Sequence, residues 1–358
     1  MSILFRLLPF ILMIAFSAPL AAAPHLTIDL DSGKVISHQH AFDPWHPASL
    51  TKLMTAYVAF RAIQTGEITS EHPVRISKNA RRQPPSRMGY RTGTTLTIEN
   101  ALKLLVVKSA NDIAVAIGES ISGTVPKFAQ RMNREAARLR MNSSRFINPH
   151  GLHDKRQVTT AHDLALLIRA IHLEYPQYAN LFKSPSVLAP KRTKKGKMIR
   201  RIYYSYNLLL ERFRGADGFK TGFVCASGYN FIGSATRSGR RIAAIALGRS
   251  SQTTRATAVA KLLTEAFRLP IETGTPISNL KPNGAVPAGP RNMRSTLCTP
   301  KARKKRYEPG AGLAVIKSPW LLKRAITRKP ISVALGKFIK KARKIARIPL
   351  PTFRPNSL

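Results

Sequence analysis

Ser49-Leu50-Thr51-Lys52 places a hydroxyl and an amine three residues apart where an apolar-periodic run begins. On a helix, positions i and i+3 share a face, so the two groups can meet. A serine attacks a carbonyl only when a base takes its proton, and a lysine is such a base only when its pKa is lowered. Desolvation and a neighbouring cation both lower it, and Leu50, Leu53 and Met54 supply the apolar surroundings. A second motif, Ser109-Ala110-Asn111, offers a hydroxyl to relay a proton toward a leaving amine and an amide to orient Lys52 and a substrate carbonyl. A third, Lys220-Thr221-Gly222, adds a cation, another hydroxyl and a glycine against which a substrate can lie close. Each motif alone is weak. In this order, with sixty and then 111 residues between their first members, they form the S-x-x-K, S-x-N, K-T-G set of serine acyltransfer enzymes.

The elements around them read as a mixed α/β domain from about 26 to 269. Leu26 to Leu30 alternates and breaks at Asp31-Ser32-Gly33-Lys34 before Val35 and Ile36 resume, which is a hairpin. Helical spacing follows at Leu50 to Val58, then over about 97–107, 112–120, 125–139 and 160–171. Strand character returns after Gly215, over 228–236 and 242–247, and a helix over 255–267 closes the domain. Strands at both ends and helices between them predict a sheet backed by terminal helices, with a helical insertion.

The segments 47–57, 99–119, 148–152, 159–167 and 216–228 resemble the D-alanyl-D-alanine carboxypeptidases among the low-molecular-mass penicillin-binding proteins. That resemblance implies a serine β-lactamase/DD-transpeptidase-like fold, a five-stranded antiparallel sheet flanked by helices with a helical subdomain. It implies Ser49 as nucleophile, Lys52 as its base and Ser109 as proton relay. Asn111, Lys220, Thr221, Gly222 and Phe223 would line the substrate site, with the Ser49 and Phe223 amides as oxyanion hole. Arg255, by its distance from the third motif, would either add a carboxylate contact or stand as a solvated helix residue. The substrate would be the stem pentapeptide of peptidoglycan, losing its terminal D-Ala, with β-lactams as inhibitors and no cofactor or metal. Phe223 departs from the family, which often has His or a small polar residue there, and the basic run Lys191 to Arg201 exceeds its usual charge.

Other readings share the motifs. A class A β-lactamase needs a deacylating carboxylate some 35–40 residues after the second motif, and the window 146–151 has none. Asp163, in Thr160-Ala161-His162-Asp163, reads as a helix cap or brace. A DD-endopeptidase cutting D-Ala cross-links stays open, as does a non-catalytic wall-binding module. His150-Gly151-Leu152-His153-Asp154 has no catalytic zinc spacing and reads as a satisfied or solvated loop.

Composition sets the surroundings. The 358 residues carry 59 Lys and Arg against 17 Asp and Glu, a net charge of +42, which predicts a polyanionic environment. Arg6 is the only charge in the first 23 residues, and the apolar run from Leu7 to Phe16 ends near Ala21-Ala22-Ala23, the layout of a secretory leader. Residues 1–23 are therefore read as signal peptide, 24–270 as catalytic domain and 271–290 as a Pro/Gly-rich linker. Residues 291–358 form a basic tail with an amphipathic helix near 332–348. Export to the periplasm or the outer face of the cytoplasmic membrane makes nucleic acid an unexpected partner. It would also permit a Cys225–Cys298 bridge, although two free thiols are an equally open reading. Leu335, Phe338, Ile339, Ala342, Ile345 and Ala346 share one helical face and Lys337, Lys340, Lys341, Arg343, Lys344 and Arg347 the other, a pattern that suits an anionic membrane surface; the alternative is a disordered basic tail that adheres to polyanions such as wall carboxylates.

Overall fold

The computed structural model describes residues 23–193, 195–270, 272–305, 318–322 and 324–335. The leader and most of the amphipathic segment lie outside these residues. Strands β1 (His25–Asp29) and β2 (Lys34–Gln39) form the expected hairpin, with Leu26, Ile28 and Leu30 fully buried. A short 3-10 turn, Ala48–Leu50, then feeds helix α1 (Thr51–Gln64). This helix is buried on every side from Thr51 to Phe60, which is why its sequence is apolar almost throughout rather than striped.

The helical insertion begins with β3 (Pro73–Arg75), α2 (Lys78–Arg82) and β4 (Thr95–Thr97), where β3 and β4 pair antiparallel. Thr97 caps α3 (Ile98–Lys103) by accepting from Asn100 N–H at 3.2 Å. The helix then widens into a π turn, Leu104–Lys108, before α4 (Asn111–Ser122) and α5 (Val125–Arg138). Helix α6 (Ala161–Glu174) starts at Thr160, whose hydroxyl accepts from Asp163 N–H at 3.0 Å. Asp163 is a brace as expected: its carboxylate takes Ser143 N–H at 2.9 Å and the Ser144 hydroxyl at 2.8 Å. After α7 (Ala179–Lys183), β5 (Ser186–Arg192) and β6 (Met198–Tyr204) form a hairpin that the basic run between Lys191 and Arg201 had concealed. Charged residues are as compatible with a solvated strand as with a loop.

Helix α8 (Leu209–Arg212) leads into β7 (Ala216–Val224), β8 (Gly228–Arg237) and β9 (Arg240–Arg249). Helix α9 (Gln252–Ala266) starts earlier than its apolar periodicity suggests, because Ser251 and Thr254 form a reciprocal capping box. The main sheet runs β10 (Thr275–Pro276), β2, β1, β9, β8, β7 with every pairing antiparallel. Five of these strands are the expected ones. The sixth, β10 (Thr275–Pro276), is a two-residue edge contributed by the segment read as linker. One sheet face packs on α9 through Phe231, Ala244, Ala246, Val259 and Leu263, and the other joins the core around α1 and α6 through Ile28, Ile232 and Ile245.

The described residues beyond 270 pack back onto the domain. Ile277 is buried, and Asn283 Oδ1 accepts from His40 N–H at 3.1 Å. Helices α10 (Arg294–Leu297) and α11 (Pro300–Lys305) follow, and Cys298 forms a disulfide with Cys225 at the end of β7, which closes the alternative of two free thiols. Trp320 packs edge-on to Phe267, and its carbonyl accepts from Arg214 N–H at 2.8 Å. Strand β11 (Ile331–Ser332) lies parallel to β5, and Val333 N–H continues the ladder to Leu188 O at 3.0 Å. Residues 332–335, read from sequence as the start of a helix, are not helical: Ser332 is strand, and Val333 still bonds to the edge that β5 offers.

Candidate active site

The three motifs converge. Ser49 lies in the 3-10 turn at the head of α1, Lys52 one turn on, Ser109 and Asn111 between the π turn and α4, and Lys220 to Phe223 on edge strand β7. A cleft of about 290 Å³ is lined by Ser49, Ser109, Asn111, Thr221, Gly222, Phe223 and Arg255, along with Ser86, Tyr206 and Tyr229. Every residue predicted for the site faces this cleft except Lys52 and Lys220, which are buried beside it.

Two close approaches fix the nucleophile. A Cβ on Gly222 would stand 3.0 Å from Ser49 N and from Pro47 O, so any larger residue would push β7 and the serine turn apart by a few tenths of an ångström. Gly151, at φ +84°, is tighter still: a Cβ would fall 1.8 Å from Ala48 O. Ala48 itself has φ 48°, a left-handed strain held in place by these neighbours. From β8, Asn230 braces the same turn, its Nδ2 donating to His46 O at 2.9 Å while its Oδ1 accepts from Gly248 N–H at 3.0 Å.

Lys52 is the electrostatic centre. Its Nζ stands 2.9 Å from Ser49 Oγ, and donates to Asn111 Oδ1 at 2.8 Å and to His150 O at 2.6 Å. Burial first, and the Lys220 charge second, hold its pKa well below the usual lysine value, against a smaller opposing pull from Asp112. A neutral amine has two N–H bonds and one lone pair. The two carbonyl oxygens take the N–H bonds, and the lone pair is left for the only neighbour that can donate, the Ser49 hydroxyl. Lys220, also buried, is brought down to about 7 by desolvation and then by Arg255. Arg255 is itself buried and drawn down to about 10; its guanidinium donates to Gly222 O at 3.3 Å and Tyr206 O at 3.2 Å and lies over the Tyr229 ring.

The facing wall is equally tied down. Ser109 takes a left-handed conformation, φ 61°, at the exit of the π turn. Such widened turns recur at functional sites because they re-aim the following residues. Asn111 was expected to orient both Lys52 and a substrate carbonyl, but one of its Nδ2 hydrogens is committed to Pro84 O at 2.8 Å. Asp112 accepts from Met88 N–H at 3.0 Å and Gly89 N–H at 2.8 Å, anchoring the loop that carries Ser86 into the cleft.

The same arrangement occurs in known proteins. The family model of the D-alanyl-D-alanine carboxypeptidases, Peptidase_S11, matches residues 13–251. The chain belongs to this family. The D-alanyl-D-alanine carboxypeptidase DacC of Escherichia coli is 31% identical over 258 residues, covering 70% of this chain and 62% of that protein. The chain thus spans less than two thirds of the length of the curated relatives that it matches first. The solved carboxypeptidase DacD of Francisella tularensis superimposes with a TM-score of 0.65 at 30% identity, covering 68% of this chain and 70% of that one. Penicillin-binding protein D2 of Listeria monocytogenes, solved in its cefotaxime-bound form, gives a TM-score of 0.59 at 28% identity, covering 69% and 97%. As its family leads one to expect, the fold is that of the penicillin-binding DD-peptidases, with a mixed α/β layout.

Within this family fold, the loop 148–152 is the part that reading by residue type undervalued. Of the two readings of 150–154, satisfied or solvated, His150 takes the first: it is 8% exposed and its backbone carbonyl also holds Lys52. The His150 ring, desolvated and close to Lys52, is held down to about 3, and its Nδ1 accepts from Leu152 N–H at 3.0 Å. His153 turns away and packs edge-on to His46. A contribution made through a main-chain carbonyl leaves no trace in side-chain type. The available signal was Gly151, whose left-handed φ marks a forced approach. Tyr206, Tyr229 and Gln252 also line the cleft without having been singled out.

Proposed function

We propose that this chain removes the terminal D-Ala from peptidoglycan stem pentapeptides through an acyl-enzyme on Ser49. The observation that carries this reading is the buried, charge-depleted Lys52 amine 2.9 Å from the Ser49 hydroxyl. Ser49 Oγ attacks the carbonyl carbon of the penultimate D-Ala while Lys52 Nζ takes its proton. The tetrahedral oxyanion is held by the N–H groups of Ser49 and Phe223. On collapse the C–N bond breaks, and the proton returns through Ser109 to the departing amine of D-Ala. Water then cleaves the ester by the reverse proton route. The terminal carboxylate of the substrate meets Lys220, Thr221 and Arg255. A guanidinium has five N–H donors, and two backbone carbonyls take only part of them.

β-Lactams, which imitate the terminal dipeptide, would acylate Ser49 as well; a relative of this fold is known in a cefotaxime-bound form. The described cleft lining has no Asp or Glu to speed lactam release. Asp154 is engaged with Arg156 at 2.7 Å, and Asp163 with Ser143 and Ser144. The leader-like N-terminus supports export, and the cationic amphipathic tail supports attachment to an anionic membrane surface. No helix among the described residues is long and apolar enough to cross a membrane.

The test pairs D-Ala release from a pentapeptide with nitrocefin turnover on the full chain. D-Ala release and fluorescent-penicillin labelling, both lost in Ser49→Ala and kept in Cys225→Ala, are the expected outcome. Fast nitrocefin hydrolysis without D-Ala release would sink the reading.

A further inference from the structure

Five of the nine large hydrophobic side chains most exposed among the described residues fall on one short stretch: Met198, Ile199, Ile202, Tyr204 and Tyr206. The same stretch is strongly cationic. Between Lys183 and Glu211 the sequence carries seven Lys and Arg and no acid. A solvated edge strand needs charge but gains nothing from displaying Met, Ile and Tyr to water.

The hairpin sorts these side chains by face. Strand β6 is the outer edge of its sheet, β11-β5-β6. Tyr203 points inward onto the core, under Lys108, whose Nζ lies 5.7 Å from its ring centroid. Alternation then turns Met198, Arg200, Ile202 and Tyr204 outward. Tyr204 is 63% exposed, Met198 48% and Ile202 41%. Opposite Met198 the register puts Arg192, also exposed. Beside this face a shallow hollow of about 610 Å³ opens between Pro190, Met198 and Ile199 on one side and Val333 and Leu335 on the other. Strand β11 delivers the chain to this hollow at Leu335, and residues 336–358 beyond it add seven Lys and Arg and no acid.

We propose that the outer face of the β5–β6 hairpin is a membrane-contact surface of its own, seating Met198, Ile202 and Tyr204 among the headgroups of anionic lipid. Arg192, Lys197 and Arg200 then meet the lipid phosphates. Charge alone would suit any polyanion; the exposed apolar and tyrosine side chains interleaved with it suit an interface that is wet and acidic above and apolar below. The hairpin and the start of the tail meet the same surface, so two weak contacts combine and the protein is held at two points. Because β6 runs on to Tyr206 in the cleft wall, this contact also fixes how the cleft is turned relative to the bilayer.

The experiment uses the full chain with vesicles of phosphatidylcholine containing phosphatidylglycerol, and soluble polyglutamate as the competing polyanion. Ile202→Ser/Tyr204→Ser keeps the charge; it should weaken vesicle binding by about tenfold and leave polyglutamate binding unchanged. Lys197→Ser/Arg200→Ser should weaken vesicle binding by about fivefold for each cation removed. Tyr204→Trp reads the contact directly: its emission should shift to the blue on adding anionic vesicles and stay put with polyglutamate. Parental vesicle affinity in the serine pair, or no shift from the tryptophan, overturns the proposal, and losses confined to the charge variant would assign the hairpin to a soluble polyanion. Penicillin labelling of each variant reads the Ser49 chemistry separately, so the two readings fail independently.

Discussion

Two regions of this protein are built from the same kind of residue and do opposite things with it. In the cleft, Lys52, Lys220 and Arg255 are each less than 5% exposed, and their pKa values are all drawn down. On the β5–β6 hairpin, Lys197, Arg200 and Arg201 stand in solvent. A buried ammonium loses hydration that nothing in the cleft fully replaces, so it gives up its proton more readily, and Lys52 thereby becomes a base. A solvated one keeps its charge and can only attract. A sequence with 59 cations therefore says little about reactivity until it is known which of them the fold takes out of water.

Substituting a lysine in each region breaks or sustains that contrast most sharply. Lys52→Met keeps the volume and removes the base. Acylation by penicillin should fall by about 10⁴-fold, in line with the loss of one member of a nucleophile–base unit. Thermal stability should hold or rise, since a desolvated amine gives way to an apolar group. Lys197→Met should leave acylation within about twofold. Comparable acylation in both variants would remove Lys52 from the mechanism.

Next in size is the bridge that ties the tail to the cleft end of β7. Cys225–Cys298 closes a loop of 73 residues, and loop-closure entropy alone assigns such a link about 4 kcal/mol. Reduction, or Cys298→Ala, should lower unfolding stability by up to that amount. Contact of the hairpin with anionic vesicles should be unaffected, as it does not pass through the bridge. The third effect tests the forced approach behind Ser49. Gly151→Ala meets both a left-handed φ and the Ala48 carbonyl, so a loss of about 2–4 kcal/mol is expected, with labelling at Ser49 impaired beyond what unfolding explains.

The contrast also marks where sequence is informative. Ser49, Lys52, Ser109, Lys220 and Thr221 were legible because acyl transfer needs particular side chains and these motifs come in a fixed order. The helix at 51–64 was legible from its locally recurring apolar positions, and the one at 161–174 from those together with its Thr160 cap. The His150 carbonyl, the Asp112 anchor of the Met88–Gly89 loop and the pairing of β11 with β5 were not. Each depends on a main-chain group, or on a partner more than twenty residues away, and neither leaves a local pattern. The hairpin was hidden for another reason: its run of Lys and Arg masks the alternation of Met198, Ile202 and Tyr204 that would mark a strand.

Titration gives a smaller but signed effect. Lys52 must be neutral to act and Lys220 protonated to hold a carboxylate, so acylation should climb with pH as Lys52 releases its proton and then fall as Lys220 titrates near 7. Above that point the decline is about tenfold per pH unit. Stability moves the other way over the same range. Between about 7 and the ordinary lysine value of 10.5, the unfolded chain holds a proton at position 220 that the folded chain has released, so this group makes stability rise with pH. Lys220→Arg should carry the falling limb of the acylation profile upward by at least two pH units; a limb that stays near 7 would mean another group sets it.

The smallest effect is the one the hairpin predicts for itself. Arg200 is exposed on the outer face of an edge strand, and Arg200→Ser removes no core contact. Stability should therefore change by no more than about 0.5 kcal/mol, and both acylation and its pH profile should superimpose on the parent. Raising the salt should reduce membrane binding of the parent toward that of the variant, because exposed charges act over a screening length of about 8–10 Å. The same salt should leave the acylation profile in place, since Lys52 and Lys220 interact within the protein, out of reach of the ions. If salt shifted both readouts together, the cations of the cleft would be in contact with solvent, and the division between a dry reactive set and a wet adhesive one would be wrong.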